Sequence, residues 1–308
     1  MALLRKLLIA GGVVVVAGAA VFWLATAPRT LDAATLASMG EGDPARGEQV
    51  FRAGGCASCH AAPDATGEAQ LALAGGVRLA TQFGTFVAPN ISQHPRDGIG
   101  AWTAQDLANA MLRGVSPGGS HYYPAFPYTS YARMQAADVA DLHAFLKTLP
   151  AVEGDAAGRH ELGFPYNIRR GLGLWKLLFL DSAPVVALDN PSEAVARGQY
   201  LVEGPGHCGE CHTPRNALGG TNASRWLAGA AAAEGQGTVP NISPGEGGIG
   251  DWSEADIANL LETGFTPDFD SVGGSMAAVV RNMAQLPVSD RQAIAAYLKA
   301  IPGHPNGY

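Results

Sequence analysis

The stretch Cys56-Ala57-Ser58-Cys59-His60 decides how this chain is interpreted, because it returns as Cys208-Gly209-Glu210-Cys211-His212. In each copy two cysteines stand three residues apart, and a histidine follows the second cysteine at once. The chain has 308 residues and four cysteines, so these motifs contain every thiol. If both pairs hold cofactors, no thiol is left for a disulfide or for a catalytic nucleophile.

The C-x-x-C-H pattern is the attachment motif of c-type haem. Cysteines three residues apart lie on one face of a helical turn, where each can add to a vinyl group of the haem. A zinc site would need two more ligands for each pair, and a thioredoxin-like site would need a βαβ context that the sequence lacks. We therefore predict two covalently bound haem c groups, with histidine as an iron ligand in each. The predicted binding residues are Cys56, Cys59, His60, Cys208, Cys211 and His212.

The rest of the chain repeats around these motifs. Ala45-Arg46-Gly47 recurs as Ala196-Arg197-Gly198, and Pro89-Asn90-Ile91-Ser92 recurs as Pro240-Asn241-Ile242-Ser243. Every such landmark returns 150–152 residues later. The sequence therefore predicts a tandem duplication with one haem in each copy.

Each copy is predicted to contain three main helices joined by long Gly- and Pro-rich loops. The first helix begins near Asp43 or Ser192, and the second begins near Thr103 or Ser253, all of which are residue types that cap helix N-termini. The third covers about 136–148 or 289–300, where apolar residues recur at helical spacing. No strand-like alternation is convincing, so the predicted fold is all-α. The predicted division is 1–27 anchor, 28–42 linker, 43–150 first domain, 151–190 connector and 191–305 second domain.

The connector and the N-terminus are both apolar. Residues 164–181 (FPYNIRRGLGLWKLLFLD) are too apolar for a free linker, so they pack against a domain or against a membrane or partner. Leu7–Leu24 carries no formal charge and follows two basic residues. At 1.5 Å per residue it reaches about 27 Å, close to the thickness of a bilayer core. A retained transmembrane helix is predicted; the alternative is a signal peptide cleaved after Ala25-Thr26-Ala27, against which Pro28 argues. In both cases the remainder is exported.

The overall composition excludes two broad classes. Hydrophobic residues make up 47% and charged residues 15% of the chain, which excludes wholesale disorder. The net charge is −7, so the basic surface of a nucleic-acid-binding protein is missing.

The second axial ligand of each haem iron is predicted to be a methionine. Met276 follows two glycines and a serine before the final helix, where a loop can turn a thioether toward a haem. In the first copy Met134 is predicted, although it aligns with Leu286 rather than with Met276. Met111 is predicted to be a core residue, and His121 remains an alternative ligand.

These segments resemble class I cytochrome c domains, and more specifically the multihaem cytochrome c subunits of membrane-bound alcohol, gluconate and sugar dehydrogenases. The resemblance covers about residues 43–302. Such subunits usually carry three haems, whereas this chain has two motifs, and relatives often have Met where this chain has Phe126. By resemblance, the carbonyls of Pro89 and Pro240 orient the proximal histidines. The segments on which the resemblance rests include ARGEQVFRAGGCASCHAAP (45–63), YYPAFPYTSYARM (122–134), GHCGECHTPRNALGG (206–220) and GGSMAAVV (273–280).

The resemblance implies electron transfer rather than catalysis. The expected donor is a periplasmic or membrane-bound dehydrogenase, and the expected acceptor is an oxidase, a soluble cytochrome or a quinone of the respiratory chain. Thioether ligation raises the potential of a haem, which suits this role. The expected location is the bacterial inner membrane, with a single N-terminal anchor and the haem domains in the periplasm. The alternative is a dihaem enzyme, similar to thiosulfate dehydrogenase or a peroxidase, with one open or specially ligated haem.

Overall fold

Helices dominate the chain in the computed structural model, which describes residues 1–154, 159–233 and 237–308. As far as residue 150, they are α1 (Ala2–Ala25), α2 (Ala33–Ala37), α3 (Pro44–Ala53), α4 (Cys56–His60), α5 (Ala104–Arg113), α6 (Tyr128–Tyr131) and α7 (Ala136–Leu146). After residue 150, they are α8 (Leu172–Phe179), α9 (Glu193–Glu203), α10 (Gly209–His212), α11 (Glu254–Thr263), α12 (Gly274–Met283) and α13 (Val288–Ala300). Short 3₁₀ turns cover Gly67–Ala72, Arg169–Gly171 and Ala223–Arg225.

Two short antiparallel hairpins accompany these helices, and the all-α prediction did not include them. They lie at the same place in each copy, between the C-x-x-C-H motif and the Pro-Asn-Ile-Ser segment. Their strands have at most four residues, which is too short to show an alternating pattern in the sequence. The strands are β1 (Arg78–Thr81) with β2 (Gly84–Val87), and β3 (Ala230–Ala231) with β4 (Thr238–Val239).

The predicted helix starts are present in both copies. Asp43 caps α3 and Ser192 caps α9, each through its side-chain oxygen. Thr103 and Ser253 begin α5 and α11 with reciprocal capping boxes, in which the hydroxyl and the aspartate three residues later each accept a backbone N–H. The local sequence therefore predicted correctly where each of these four helices begins.

The repeated Ala-Arg-Gly segment has a packing role. Helix α3 crosses α7 so closely at Gly47 that a Cβ there would collide with the carbonyl of Asp141. Helix α9 crosses α13 in the same way, and a Cβ at Gly198 would collide with the carbonyl of Ala293. Only glycine permits this approach, which explains why both copies carry it at the same position.

Each copy of the repeat has a hydrophobic cluster of its own. Met111, predicted as a core residue, is buried in the first cluster, and its repeat counterpart Leu261 is buried in the second. Burial of such side chains is the main favourable contribution to folding. Large members of the first cluster are Phe51, Leu107, Val139, Leu142 and Phe145, and large members of the second are Leu201, Ile257, Ile294, Tyr297 and Leu298.

Helix α1 is exposed along its length and ends in a set of contacts with the first copy and the connector. Helix α1 has 24 residues and is long and apolar enough to cross a membrane. Just beyond it, Thr26 is buried; its carbonyl lies 2.8 Å from Nε2 of His121, and its hydroxyl accepts from Nε of Arg170 at 2.9 Å. The guanidinium of Arg170 also stacks on the ring of Trp23 at 4.0 Å. His121, the alternative iron ligand, is thus engaged by Thr26.

The connector packs against the first copy through Lys176. Its ammonium donates to the carbonyls of Arg113 and Gly114, each at 2.7 Å, where α5 ends. It also lies 4.7 Å from the centre of the Tyr128 ring. Burial lowers the pKa of Lys176 to about 7, and in its charged form the amine complements the partial negative charge at the C-terminus of α5. Lys176 therefore fastens α8 to α5.

Lys176→Met is expected to lower the free energy of unfolding by about 1–3 kcal/mol, because two buried carbonyls at the end of α5 lose their hydrogen-bond donor. The matched control is Lys147→Met at the exposed end of α7, where we expect a change below about 0.5 kcal/mol. Urea unfolding followed by circular dichroism measures both. Equal stabilities of the two variants would contradict the fastening role of Lys176.

Candidate haem sites

Both C-x-x-C-H motifs lie on short helical turns that begin after a left-handed residue. Gly55 precedes the first motif with φ +55°, and His207 precedes the second with φ +40°. Histidine tolerates this region better than most side chains do. The turn places the first cysteine of each motif half-buried and the second exposed. Both thiols of each pair are thus held on one short turn.

The histidine of each motif, predicted as a proximal ligand, contacts the backbone carbonyl that the resemblance indicated. Nδ1 of His60 lies 2.9 Å from the carbonyl of Pro89, and Nδ1 of His212 lies 2.8 Å from that of Pro240. Donation from Nδ1–H to the carbonyl leaves Nε2 unprotonated and available to a metal. Burial lowers the pKa of both imidazoles, which favours the neutral form that binds iron.

The asparagine after each proline holds the orienting carbonyl in place. Oδ1 of Asn90 accepts from the amide of Ser92 at 2.8 Å, and its Nδ2 donates to Val152. Asn241 makes the equivalent bonds to Ser243 and His304. The sequence marked this segment only as a repeat, and the structural role of the two buried asparagines was not predicted.

The residues present fit covalently attached haem. Burial raises the pKa of Cys56 and Cys208 to about 12, so both remain protonated thiols in this state. Each motif combines two cysteine side chains with a neutral imidazole whose Nε2 is not used by the contact with the proline carbonyl. Within residues 1–154, 159–233 and 237–308, no three or more His, Cys, Asp or Glu side chains gather to hold a metal ion.

The two predicted methionine ligands lie in different surroundings. Met134 is buried just before α7, in the same cluster as Cys56. Met276 is half-buried in the first turn of α12, packed against the second cluster together with Cys208. The sequence placed Met276 in a loop, whereas α12 already begins at Gly274. The same clusters also contain Met39, Met111 and Met283, so the assignment of Met134 and Met276 stays a prediction.

Residues inside each motif contact the opposite copy of the repeat. Nδ2 of Asn282, on α12, donates to the hydroxyl of Ser58 in the first motif at 3.0 Å. The carboxylate of Glu210 in the second motif accepts from the hydroxyls of Thr129 and Ser130, at 2.9 and 2.8 Å. We call the region defined by these five residues the motif junction.

The motif junction also brings the two exposed cysteines near each other. The pKa of Cys59 is raised because surrounding protein atoms partly desolvate its sulfur, although the residue as a whole is exposed, and then because Cys211 is nearby. Burial would raise the pKa of Glu210, but Arg215 and the two hydroxyls lower it below its usual value, so this carboxylate is ionised. The ring of His207 packs edge-on against Tyr131 at 5.8 Å. The two attachment turns therefore adjoin, which spacing in the sequence does not reveal.

Comparison with known proteins agrees with this geometry. A family model for cytochrome c matches residues 44–150. A dihaem c-type cytochrome from Cereibacter sphaeroides is 57% identical over 300 residues, which cover 97% of this chain and 99% of that protein. The chain belongs to the cytochrome c family. Family membership and this near full-length similarity confirm the predicted cofactor: this cytochrome carries two covalently bound haem c groups.

Further relatives of this cytochrome are parts of dehydrogenases. The fructose dehydrogenase cytochrome subunit of Gluconobacter japonicus is 35% identical over 259 residues, covering 83% of this chain and 52% of that protein. The alcohol dehydrogenase (quinone) cytochrome c subunit of Gluconobacter oxydans is 36% identical over 273 residues, which cover 85% of this chain and 55% of that protein. The chain thus spans about half the length of these two subunits. The relatives are electron carriers rather than catalytic subunits, which confirms the expectation that this cytochrome is not itself an enzyme.

Proposed function

We propose that this cytochrome is a membrane-anchored relay that takes electrons from a periplasmic or membrane-bound dehydrogenase and passes them to a respiratory acceptor. When bound, the haem groups supply one-electron oxidation and reduction. The observation that carries the proposal is the motif junction, which holds the two attachment turns side by side. The similarity to cytochrome subunits of fructose and alcohol dehydrogenases supports a dehydrogenase as donor.

The proposed domains each serve one haem. Two observations support this division: each copy has its own buried hydrophobic cluster, and in each copy the first and last helices cross at a glycine. The linker and connector then join the domains to the anchor and to each other. The proposed bounds are 1–27 anchor, 28–42 linker, 43–150 first domain, 151–190 connector and 191–305 second domain.

The proposed haem-binding residues form two sets, one in each copy. Cys56 and Cys59, and Cys208 and Cys211, form the thioether links. His60 with Met134, and His212 with Met276, complete the iron ligands. The chain's own part is to hold the imidazoles through the two proline carbonyls and to exclude water with the two clusters, which tunes the potential of a metal site.

The proposed location is the bacterial inner membrane with the two domains in the periplasm. Exposure of α1 along its length supports a lipid environment. The contacts of Thr26 with His121 and Arg170 support retention of the anchor, because cleavage after Ala27 would remove Thr26 from a buried site. The proposed acceptor is an oxidase, a soluble cytochrome or a quinone.

Counting carbon monoxide binding to the fully reduced protein tests the relay. If a protein side chain fills the sixth position in both domains, neither haem is expected to bind carbon monoxide readily. Binding at one haem, together with turnover of hydrogen peroxide or thiosulfate, would contradict the relay and favour a dihaem enzyme. Turnover is measured separately because carbon monoxide can also displace a weakly bound ligand at a haem that has no catalytic activity.

A further inference from the structure

The polarity of helix α8 is opposite to that of a helix on a water-exposed surface. Its one cation, Lys176, is 8% exposed and faces the protein together with Gly173. Leu174, Leu177 and Leu178 are 45%, 60% and 68% exposed. These three leucines stand at helical spacing and so share one face. Water is therefore not the environment that suits the outer face of α8.

This face continues into a larger apolar area. Nε1 of Trp175 donates to the carbonyl of Leu218 at 2.8 Å, and Leu218 is itself exposed. The ring of Tyr166 packs against Phe83, which lies beside the glycine that follows Leu218. Contiguous exposed apolar areas of this kind mark membrane or protein contact sites. The connector patch consists of Phe164, Tyr166, Ile168, Leu174, Leu177 and Leu178, all exposed.

The connector patch lies next to the end of the membrane helix. Arg170, two residues before α8, bonds to the hydroxyl of Thr26 and to the carbonyl of Trp23. Helix α8 itself packs on the end of α1, because a Cβ at Gly173 would lie only 2.5 Å from the carbonyl oxygen of Thr26. Trp23 is of the residue type that concentrates at membrane interfaces. Arg29, three residues beyond Thr26, is exposed and suits anionic headgroups.

We propose that the connector patch is seated in the surface of the bilayer, with α8 lying in the interface beside the point where α1 leaves the membrane. This rests on the proposed anchoring by α1. Lipid is the occupant because the patch adjoins the end of α1, where Trp23 and the exposed Arg29 suit the membrane interface. Lys176 binds α8 to the first copy, and Trp175 binds it to the second. The second membrane contact therefore fixes the orientation of both copies relative to the bilayer.

Thiol labelling of the full chain in nanodiscs of phosphatidylcholine and phosphatidylglycerol tests this. The native cysteines are consumed by haem attachment, so Leu177→Cys introduces a single reactive thiol. The matched control is Phe269→Cys, since Phe269 is 88% exposed in the loop after α11. A bulky charged maleimide is expected to label Leu177→Cys at least about tenfold more slowly than the control, because the reagent does not enter the headgroup and acyl boundary.

The outcomes separate this inference from the anchor on which it rests. Failure of the chain to enter nanodiscs would overturn the anchor and the inference together. Entry with equal labelling rates would overturn only the seating of the patch, and would leave it open to a protein partner. Leu178→Cys repeats the test on the same face. An unchanged haem absorbance spectrum confirms that each variant is folded, and equal labelling in sodium dodecyl sulfate confirms equal thiol reactivity.

Discussion

His212→Ala is expected to leave one haem with a normal low-spin spectrum where the unmodified protein has two. The imidazole of His212 is buried and is held by the carbonyl of Pro240, so Nε2 is positioned to bind iron. Cys208 and Cys211 remain, and the affected haem therefore stays attached but loses its proximal ligand. Ferric absorbance and electron paramagnetic resonance spectra measure the change from low-spin to high-spin iron at one site.

The matched control is His304→Ala, which removes an imidazole from the same half without touching the motif. This variant is expected to retain two low-spin haems. His60→Ala is the reciprocal change and should affect the other haem alone. Two normal spectra in His212→Ala would contradict its role as a ligand, and loss of both would contradict two separate haem domains.

Met276→Leu is expected to lower the midpoint potential of one haem sharply. Thioether ligation raises haem potentials, and axial ligands set them over a range of about 0.8 V. Leucine nearly conserves the volume of methionine, so packing against the second cluster is retained while the sulfur is removed. A potentiometric titration of the two haems measures the shift, and the reduced variant should also bind carbon monoxide at one haem.

The matched control is Met283→Leu, which changes the same residue type at the other end of α12, where the side chain is buried. It is expected to leave both potentials nearly unchanged. An unchanged titration of Met276→Leu, or a shift confined to the control, would remove Met276 as the ligand. In the first copy, Met134→Leu with Met111→Leu as its control makes the same comparison.

The haem chemistry, the duplication and the helix starts follow from the sequence because they depend on local spacing. A cysteine pair three residues apart occupies one turn wherever the turn lies, and Asp43 or Thr103 caps its own helix through atoms at most three residues away. The roles of Pro89 and Pro240 came from resemblance, because a contact across some thirty residues cannot be derived from periodicity. Met276 was predicted to lie in a loop because Gly273 and Gly274 precede it, yet α12 begins at Gly274.

Tertiary structure alone decided which of these local features meet. The motif junction pairs Ser58 with Asn282 and Glu210 with Thr129, partners far apart along the chain. The outer face of α8 is apolar because its lysine, Lys176, points inward and donates to a carbonyl at the end of α5. The composition of the segment does not reveal which way Lys176 points. The physical reason is that sequence spacing specifies which side chains share a face, whereas the partner of that face is selected by the packing of the whole chain.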